Sequence, residues 1–127
     1  MDADERRYKE LTHQIIGAAF DVANEMGLGY LEKVYENCLA EELRRRGLRT
    51  QQQFPVPVRY KGTLVGNYVA DLIVDDLVLV ELKYASGLDD AHLAQCINYL
   101  KATGLKVCLL INFGNEKVEY KRVVRGL

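Results

Sequence analysis

The stretch Tyr68-Val-Ala-Asp71-Leu-Ile-Val74-Asp-Asp76-Leu-Val-Leu-Val-Glu81-Leu-Lys83 decides how this chain folds. Two apolar runs rich in Val, Ile and Leu flank a polar Asp75-Asp76 break, which reads as two consecutive antiparallel strands. Side chains alternate along a strand, so Glu81 and Lys83 share a face. Asp71, Glu81 and Lys83 all interrupt runs that are otherwise apolar, where a charge is costly unless it is paired or bound to an ion. Two carboxylates and an ammonium at the end of an apolar hairpin can hold a hard divalent cation beside an anionic substrate. The pattern points to metal-dependent phosphodiester chemistry.

Hairpin register tests that reading. A two-residue turn at Asp75-Asp76 would set Val74 against Leu77 and Asp71 against Val80, sending Asp71 and Glu81 to opposite faces. A shared site needs Asp71 opposite Glu81, through a three-residue loop over Asp75 to Leu77 or a bulge near Asp71. We therefore expect an irregularity here.

Outward from the hairpin, apolar spacing predicts a helix from about Arg6 to Met26, broken at Gly27-Leu-Gly29. A second helix is expected from about Glu32 to Arg46, with Leu31, Tyr35, Cys38, Leu39 and Leu43 along its stripe and Gly47 as its stop. Strands follow over about Gln51 to Tyr60, Leu64 to Val74 and Leu77 to Tyr84. Pro55 and Pro57 place the first of them at a sheet edge or make it irregular. A third helix spans about Asp89 to Thr103, Lys106 to Asn112 reads as a buried strand, and Lys117 to Val124 as a last strand. The expected architecture is α/β (α+β), a mixed sheet flanked by helices in one domain over residues 1–127.

Composition narrows the function. The 127 residues are 49% hydrophobic and 28% charged, values of an ordinary globular protein. No apolar run approaches a membrane span, and the acidic start lacks a signal-peptide pattern, so a cytoplasmic protein without a membrane partner is expected. Cys38, Cys96 and Cys108 have no zinc or redox spacing and read as buried free thiols. With only His13 and His92, any metal must be held by oxygen. Net charge is −1, but residues 1–42 sum to −6 and residues 43–127 to +5. Arg44-Arg45-Arg46, Arg49, Arg59 and Lys61 form one basic group, and Lys117, Lys121, Arg122 and Arg125 another. They serve either phosphate binding or ordinary solvated helix ends and edge strands.

On the third helix, Leu88, His92, Gln95, Tyr99 and Thr103 fall in one arc, while Leu93, Cys96, Ile97 and Leu100 centre on another. The apolar arc is expected on the sheet, and the polar arc either lines a cleft where His92, Gln95 and Tyr99 contact substrate or forms an amphipathic shoulder with Tyr99 half-buried. Glu32 either reaches the site or caps the start of the second helix. Glu42 is expected to pair with a neighbouring arginine.

Four segments together carry a resemblance: Gly29-Tyr-Leu-Glu32-Lys-Val-Tyr35, Ala70-Asp71, Glu81-Leu82-Lys83 and Gln95-Cys-Ile-Asn-Tyr99. They make the chain similar to the PD-(D/E)XK nuclease superfamily and, within it, to the small prokaryotic family of GxxExxY proteins, from about Leu11 to Val124. Ala70 stands where many relatives have Pro, which leaves the metal ligand untouched. The resemblance implies a restriction-endonuclease-like αβββαβ core with an extra N-terminal helix. It implies Asp71, Glu81 and the Leu82 carbonyl as ligands of Mg²⁺ (or Mn²⁺), and Lys83 as the group that positions or deprotonates the attacking water. Glu32 would orient the metal shell or bind a second ion, and Gln95 and Tyr99 would meet the substrate, DNA or RNA. A homodimer would address both strands of a duplex. The alternative is a nucleic-acid-binding or assembly module that keeps the fold without catalysis.

Overall fold

The computed structural model describes residues 2–127. Helix α1 (Ala3–Met26) and helix α2 (Glu32–Arg45) precede strands β1 (Thr50–Tyr60), β2 (Thr63–Val74) and β3 (Val78–Lys83). Helix α3 (Asp90–Thr103), strand β4 (Val107–Asn112) and strand β5 (Glu119–Val124) follow. The five strands form one sheet in the order β1-β2-β3-β4-β5, antiparallel except for the β3–β4 pair that α3 connects. β1 therefore lies at an edge, where Pro55 and Pro57 leave no inner ladder position without its N–H.

Alternation along the inner strands divides the core into two layers. Leu72, Val74, Val78, Val80, Leu82, Val107, Leu109 and Ile111 pack with Ile15, Ala18, Leu39 and Leu43 of α1 and α2. Ile73, Leu79, Cys108 and Leu110 pack on the other face with Cys96, Tyr99 and Leu100 of α3. β3 and β4 are covered on both sides, which explains their near-continuous Val/Leu/Ile runs.

Helix α1 starts three residues earlier than periodicity suggests, because Asp2 accepts a hydrogen bond from the Glu5 amide and caps it. The α3 stripe is also rotated from expectation. Tyr99 is buried at 5% exposure, whereas Ile97 is 41% exposed. The Tyr99 hydroxyl finds a partner on its own helix, which makes burial of the larger ring favourable. Among the cysteines, Cys96 and Cys108 are buried and Cys38 is half-buried, and all three are free thiols. Glu42 pairs with Arg46 (2.9 Å) as expected.

Two devices fix the loops around the sheet's open end. The buried Asn112 side chain accepts from the Ala85 and Gly114 amides and donates to the Ala85 carbonyl, tying the β3–α3 connection to the end of β4. A Cβ at Gly114 would lie 2.4 Å from the Ala85 oxygen, so only glycine lets these segments meet. On the other side, the Tyr35 hydroxyl donates to the Gly27 carbonyl (2.5 Å) and accepts from the Tyr30 amide (3.3 Å). Its ring stacks on Phe113, closing the α1–α2 turn over the core.

Candidate active site where two strands part

The β2–β3 hairpin has the odd register. Val74 pairs with Val78, Ile73 with Leu79 and Leu72 with Val80, so Asp75 to Leu77 form a three-residue loop. Asp75 and Asp76 both take left-handed backbone conformations, at φ 53° and 57°. Aspartate tolerates that region better than most residues. The Asp75 carboxylate also accepts from the Arg49 amide (2.8 Å), and Asp76 pairs with Arg49.

Beyond Leu72 and Val80 the ladder stops, and side chains take over from backbone. The Asp71 amide donates to Glu81 Oε1 (2.9 Å), and the Leu82 amide donates to Asp71 Oδ2 (2.8 Å). Each carboxylate thus satisfies the backbone around the other and keeps one oxygen with no protein donor. No fully buried side-chain oxygen among the described residues lacks a partner, so these free oxygens are not wholly sealed from solvent.

β2 is irregular at the same point. Gln52 pairs with Leu72 and Phe54 with Ala70, but Gln53 and Asp71 between them do not pair. Gln53 has φ 57°. Ala70 packs on the α3 face and Leu72 on the α1/α2 face, so alternation slips across Asp71. Register alone would aim Asp71 at α3 beside Glu81. The slip turns it to the α2 side, where it lines a cleft of about 580 Å³ with Glu32, Lys33, Glu36, Gln53 and Tyr84. Asp71 and Glu81 meet at the seam between the strands instead of projecting in parallel.

Glu81 is 4% exposed. Burial, and then the Asp71 charge, push its carboxyl up to about 8. Burial also raises Asp71, with Glu36 adding to the rise against the pull of the Leu82 amide and Lys83. Lys83 forms no ion pair with either carboxylate. Its Nζ donates to Gln95 Oε1 (2.8 Å), and Gln95 Nε2 donates to Tyr99 Oη (3.1 Å), a chain running from the sheet onto α3. Burial and then Glu81 push the Tyr99 hydroxyl up to about 12, keeping it protonated.

The remaining sequence candidates stand at the rim of the site or outside it. Glu32 is exposed at the first turn of α2, on the rim of the Asp71 cleft, with its carbonyl accepting from Tyr84 Oη (2.8 Å). His92 is engaged in the α3 cap: its amide donates to Asp89 and its Nδ1 accepts from the Asp89 amide. Only Nε2 is left for other work. Gly29 carries φ 106° in the turn that Tyr35 closes, so two of the three residues of the Gly29–Tyr35 motif shape the backbone.

Sequence reasoning missed Glu36. It is 5% exposed and accepts from Lys33 (2.8 Å), Gln52 (2.7 Å) and Gln53 (2.8 Å), beside Asp71. A signal was present: Glu36, Leu39, Ala40 and Leu43 follow the i, i+3, i+4, i+7 spacing of a buried stripe.

Can these groups hold a divalent ion? Among the described residues no three His, Cys, Asp or Glu side chains are grouped to cage one. Glu36 has both oxygens engaged. What exists is a pair of adjoining carboxylates with one free oxygen each, next to the Leu82 backbone. A small octahedral ion such as Mg²⁺ is commonly bound by one or two carboxylates plus water and substrate oxygens. The donor set fits that mode and not an all-protein cage.

A mixed sheet with helices on both faces, opening at an Asp…Glu-x-Lys seam, defines the restriction-endonuclease-like class of folds. The chain belongs to the PD-(D/E)XK nuclease superfamily, whose family model matches residues 9–123. Members of that superfamily generally use divalent metal ions. Among solved structures it is similar to SSO0001, with TM-score 0.58 and 17% identity over 75% of this chain and 50% of that one. The chain thus spans half the length of that relative. It is also similar to the alkaline exonuclease LHK-Exo from Laribacter hongkongensis, with TM-score 0.51 and 14% identity over 84% of this chain and 76% of that one. The same exonuclease in complex with dAMP matches at 13% identity with the same TM-score and coverage. No curated protein matches the sequence. Among the described residues no helix is long and apolar enough to cross a membrane.

Proposed function

We propose that this protein is a nuclease that hydrolyses phosphodiester bonds of DNA or RNA with a divalent cation, Mg²⁺ or Mn²⁺. The observation that carries the reading is the Asp71–Glu81 seam. Two carboxylates are held against each other by each other's backbone, each with an oxygen that no protein group donates to. Leaving like charges adjacent in a poorly solvated place is unfavourable unless a cation neutralises them. Superfamily membership and the exonuclease fold neighbours support it.

Asp71 and Glu81 would hold the ion, joined by the Leu82 carbonyl. A bound divalent cation supplies Lewis-acid polarisation of the phosphate and eases ionisation of water. Lys83 spends one N–H on Gln95 and keeps two for a phosphate oxygen or the incoming water. Its charge stabilises the negative charge that grows on the phosphate in the transition state. Gln95 fixes the Lys83 head, and Tyr99 fixes Gln95. Glu32, at the mouth of the Asp71 cleft, orients water or a second ion. A homodimer would serve a duplex substrate, and light scattering at working concentration reads it directly.

The test is cleavage of labelled single- and double-stranded DNA and RNA with Mg²⁺ or Mn²⁺. Cutting should stop with EDTA and fall roughly 10²-fold or more in Glu81→Ala and Lys83→Ala, the scale expected when a transition-state contact is lost. Wild-type cutting no faster than both variants would defeat the proposal and favour a binding or assembly module.

A further inference from the structure

On the α3 side, beyond Gln95, the outer halves of β1 and β2 stand over the helix and leave a cleft of about 890 Å³. Its chemistry is mixed in a particular way. Tyr68 from β2 and Arg59 from β1 line it together with Gln95, Asn98, Tyr99 and Lys101 from α3, so two aromatic rings, two amides and two cations share one cleft. Neither Arg59 nor Lys101 forms an ion pair among the described residues, unlike Arg45, Arg46 and Arg49.

We infer that this cleft binds an unstacked nucleotide of a single-stranded nucleic acid, adjoining the scissile phosphate, with the base on Tyr68 and the backbone phosphates on Arg59 and Lys101. The assignment rests on the nuclease reading, which places the reacting phosphate beside Lys83. Gln95 joins the two places, since it lines the cleft and holds Lys83 at 2.8 Å. Tyr68 is 54% exposed, a large ring left open to solvent at the mouth. Its ring centroid lies 6.0 Å from that of Tyr99 at 48°, too close and too tilted to admit a base between them. Tyr99 therefore braces Tyr68, and a base stacks on the outer ring. A base within a duplex cannot present its face to such a ring, whereas an unpaired one can. Asn98 and Gln95 offer donors and acceptors to the base edge, and two unpaired cations suit the phosphates on either side.

The experiment uses the intact protein in EDTA at low salt, with a short single strand carrying 2-aminopurine, as DNA and as RNA, and the same strand in a blunt duplex. Wild type should quench the 2-aminopurine of the single strand and bind it more tightly than the duplex. Tyr68→Ala should weaken single-strand binding about 5- to 150-fold, the range for loss of one base–aromatic stack, and abolish the quenching. Tyr68→Phe should retain both, which separates stacking from a folding defect. Arg59→Ala and Lys101→Ala should weaken affinity and flatten its salt dependence with quenching intact. Unchanged binding in Tyr68→Ala, absent quenching in wild type, or loss in Tyr68→Phe equal to that in Tyr68→Ala overturns the inference. A parallel Mg²⁺ cleavage arm keeps the two proposals apart. Stacking without cleavage sustains the cleft and defeats the nuclease, and cleavage indifferent to Tyr68→Ala does the reverse.

Discussion

Glu81 concentrates the electrostatic conflict of this fold in one carboxyl group. Unfolded, it releases its proton near its ordinary value of 4.5; folded, it holds the proton up to about 8. Between those values the folded chain binds one proton more than the unfolded chain, so stability falls as pH rises through this window. Glu81→Gln keeps the acceptor oxygen for the Asp71 amide and removes the charge. In EDTA it should melt with wild type at about pH 4 and several degrees above it at about pH 8, as followed by circular dichroism. Equal melting temperatures across that range would show that the carboxyl ionises freely in the fold. A divalent ion should reverse the order at about pH 8, because it favours the ionised pair that only wild type offers. Asp71, Glu81 and Lys83 were legible as charges in apolar strands. Glu36 was not, because its helix stripe was traced through the apolar residues and skipped the one carboxylate on it.

The β2–β3 hairpin shows how an element turns composition into geometry. Its three-residue loop was one of two devices that would serve a shared site, and the structure uses it together with a break in β2 at Asp71. Opposite it stands Gln53 of the neighbouring strand, whose left-handed backbone no strand pattern announces. Helix α3 shows the opposite case: its hydrophobic arc sets Ile97 inside and leaves Tyr99 in the cleft or half-buried. Hydrogen bonding of the Tyr99 hydroxyl to Gln95 reverses that order. At the α1–α2 turn, Tyr35 closes the Gly27–Tyr30 backbone and touches neither Asp71 nor Lys83 by hydrogen bond. Tyr35→Phe should therefore cost about 1 kcal/mol of stability, the typical worth of a hydrogen bond, while leaving the cleavage rate within about two-fold. Chemical denaturation and a cleavage assay measure the two effects separately. A large fall in rate with unchanged stability would move Tyr35 into the chemistry.

Across the molecule, the charge asymmetry between the two parts of the chain is met in part by internal pairing. Arg45 meets Glu41, Arg46 meets Glu42 and Asp21, Arg49 meets Asp76, and Arg44 donates to the Thr50 carbonyl. The first basic group is thus mostly a clamp between α1, α2 and the hairpin, leaving Arg59 and Lys61 outside it. The second group lies in and around β5, at the edge opposite β1 and three strands from β2, which carries Tyr68. Lys121→Glu and Arg122→Glu should accordingly leave single-strand affinity within about two-fold, whereas Arg59→Glu should weaken it and reduce the salt slope by about 0.7, one counterion for a single strand. Equal losses from both edges would mean that charge attracts nucleic acid without a defined track. The mixed sheet, the placement of the helices and the three charges set into apolar strands could be read from the amino-acid order alone. Hydrophobic period and turn chemistry are local properties, and a charge inside an apolar strand is conspicuous wherever it sits. The aim of Asp71, the Lys83–Gln95–Tyr99 chain, the role of Glu36 and the cleft under Tyr68 each join residues from separate elements. Their geometry depends on a backbone slip and on hydrogen bonds formed only when the sheet and helices pack, so it exists in the fold and nowhere in the local pattern.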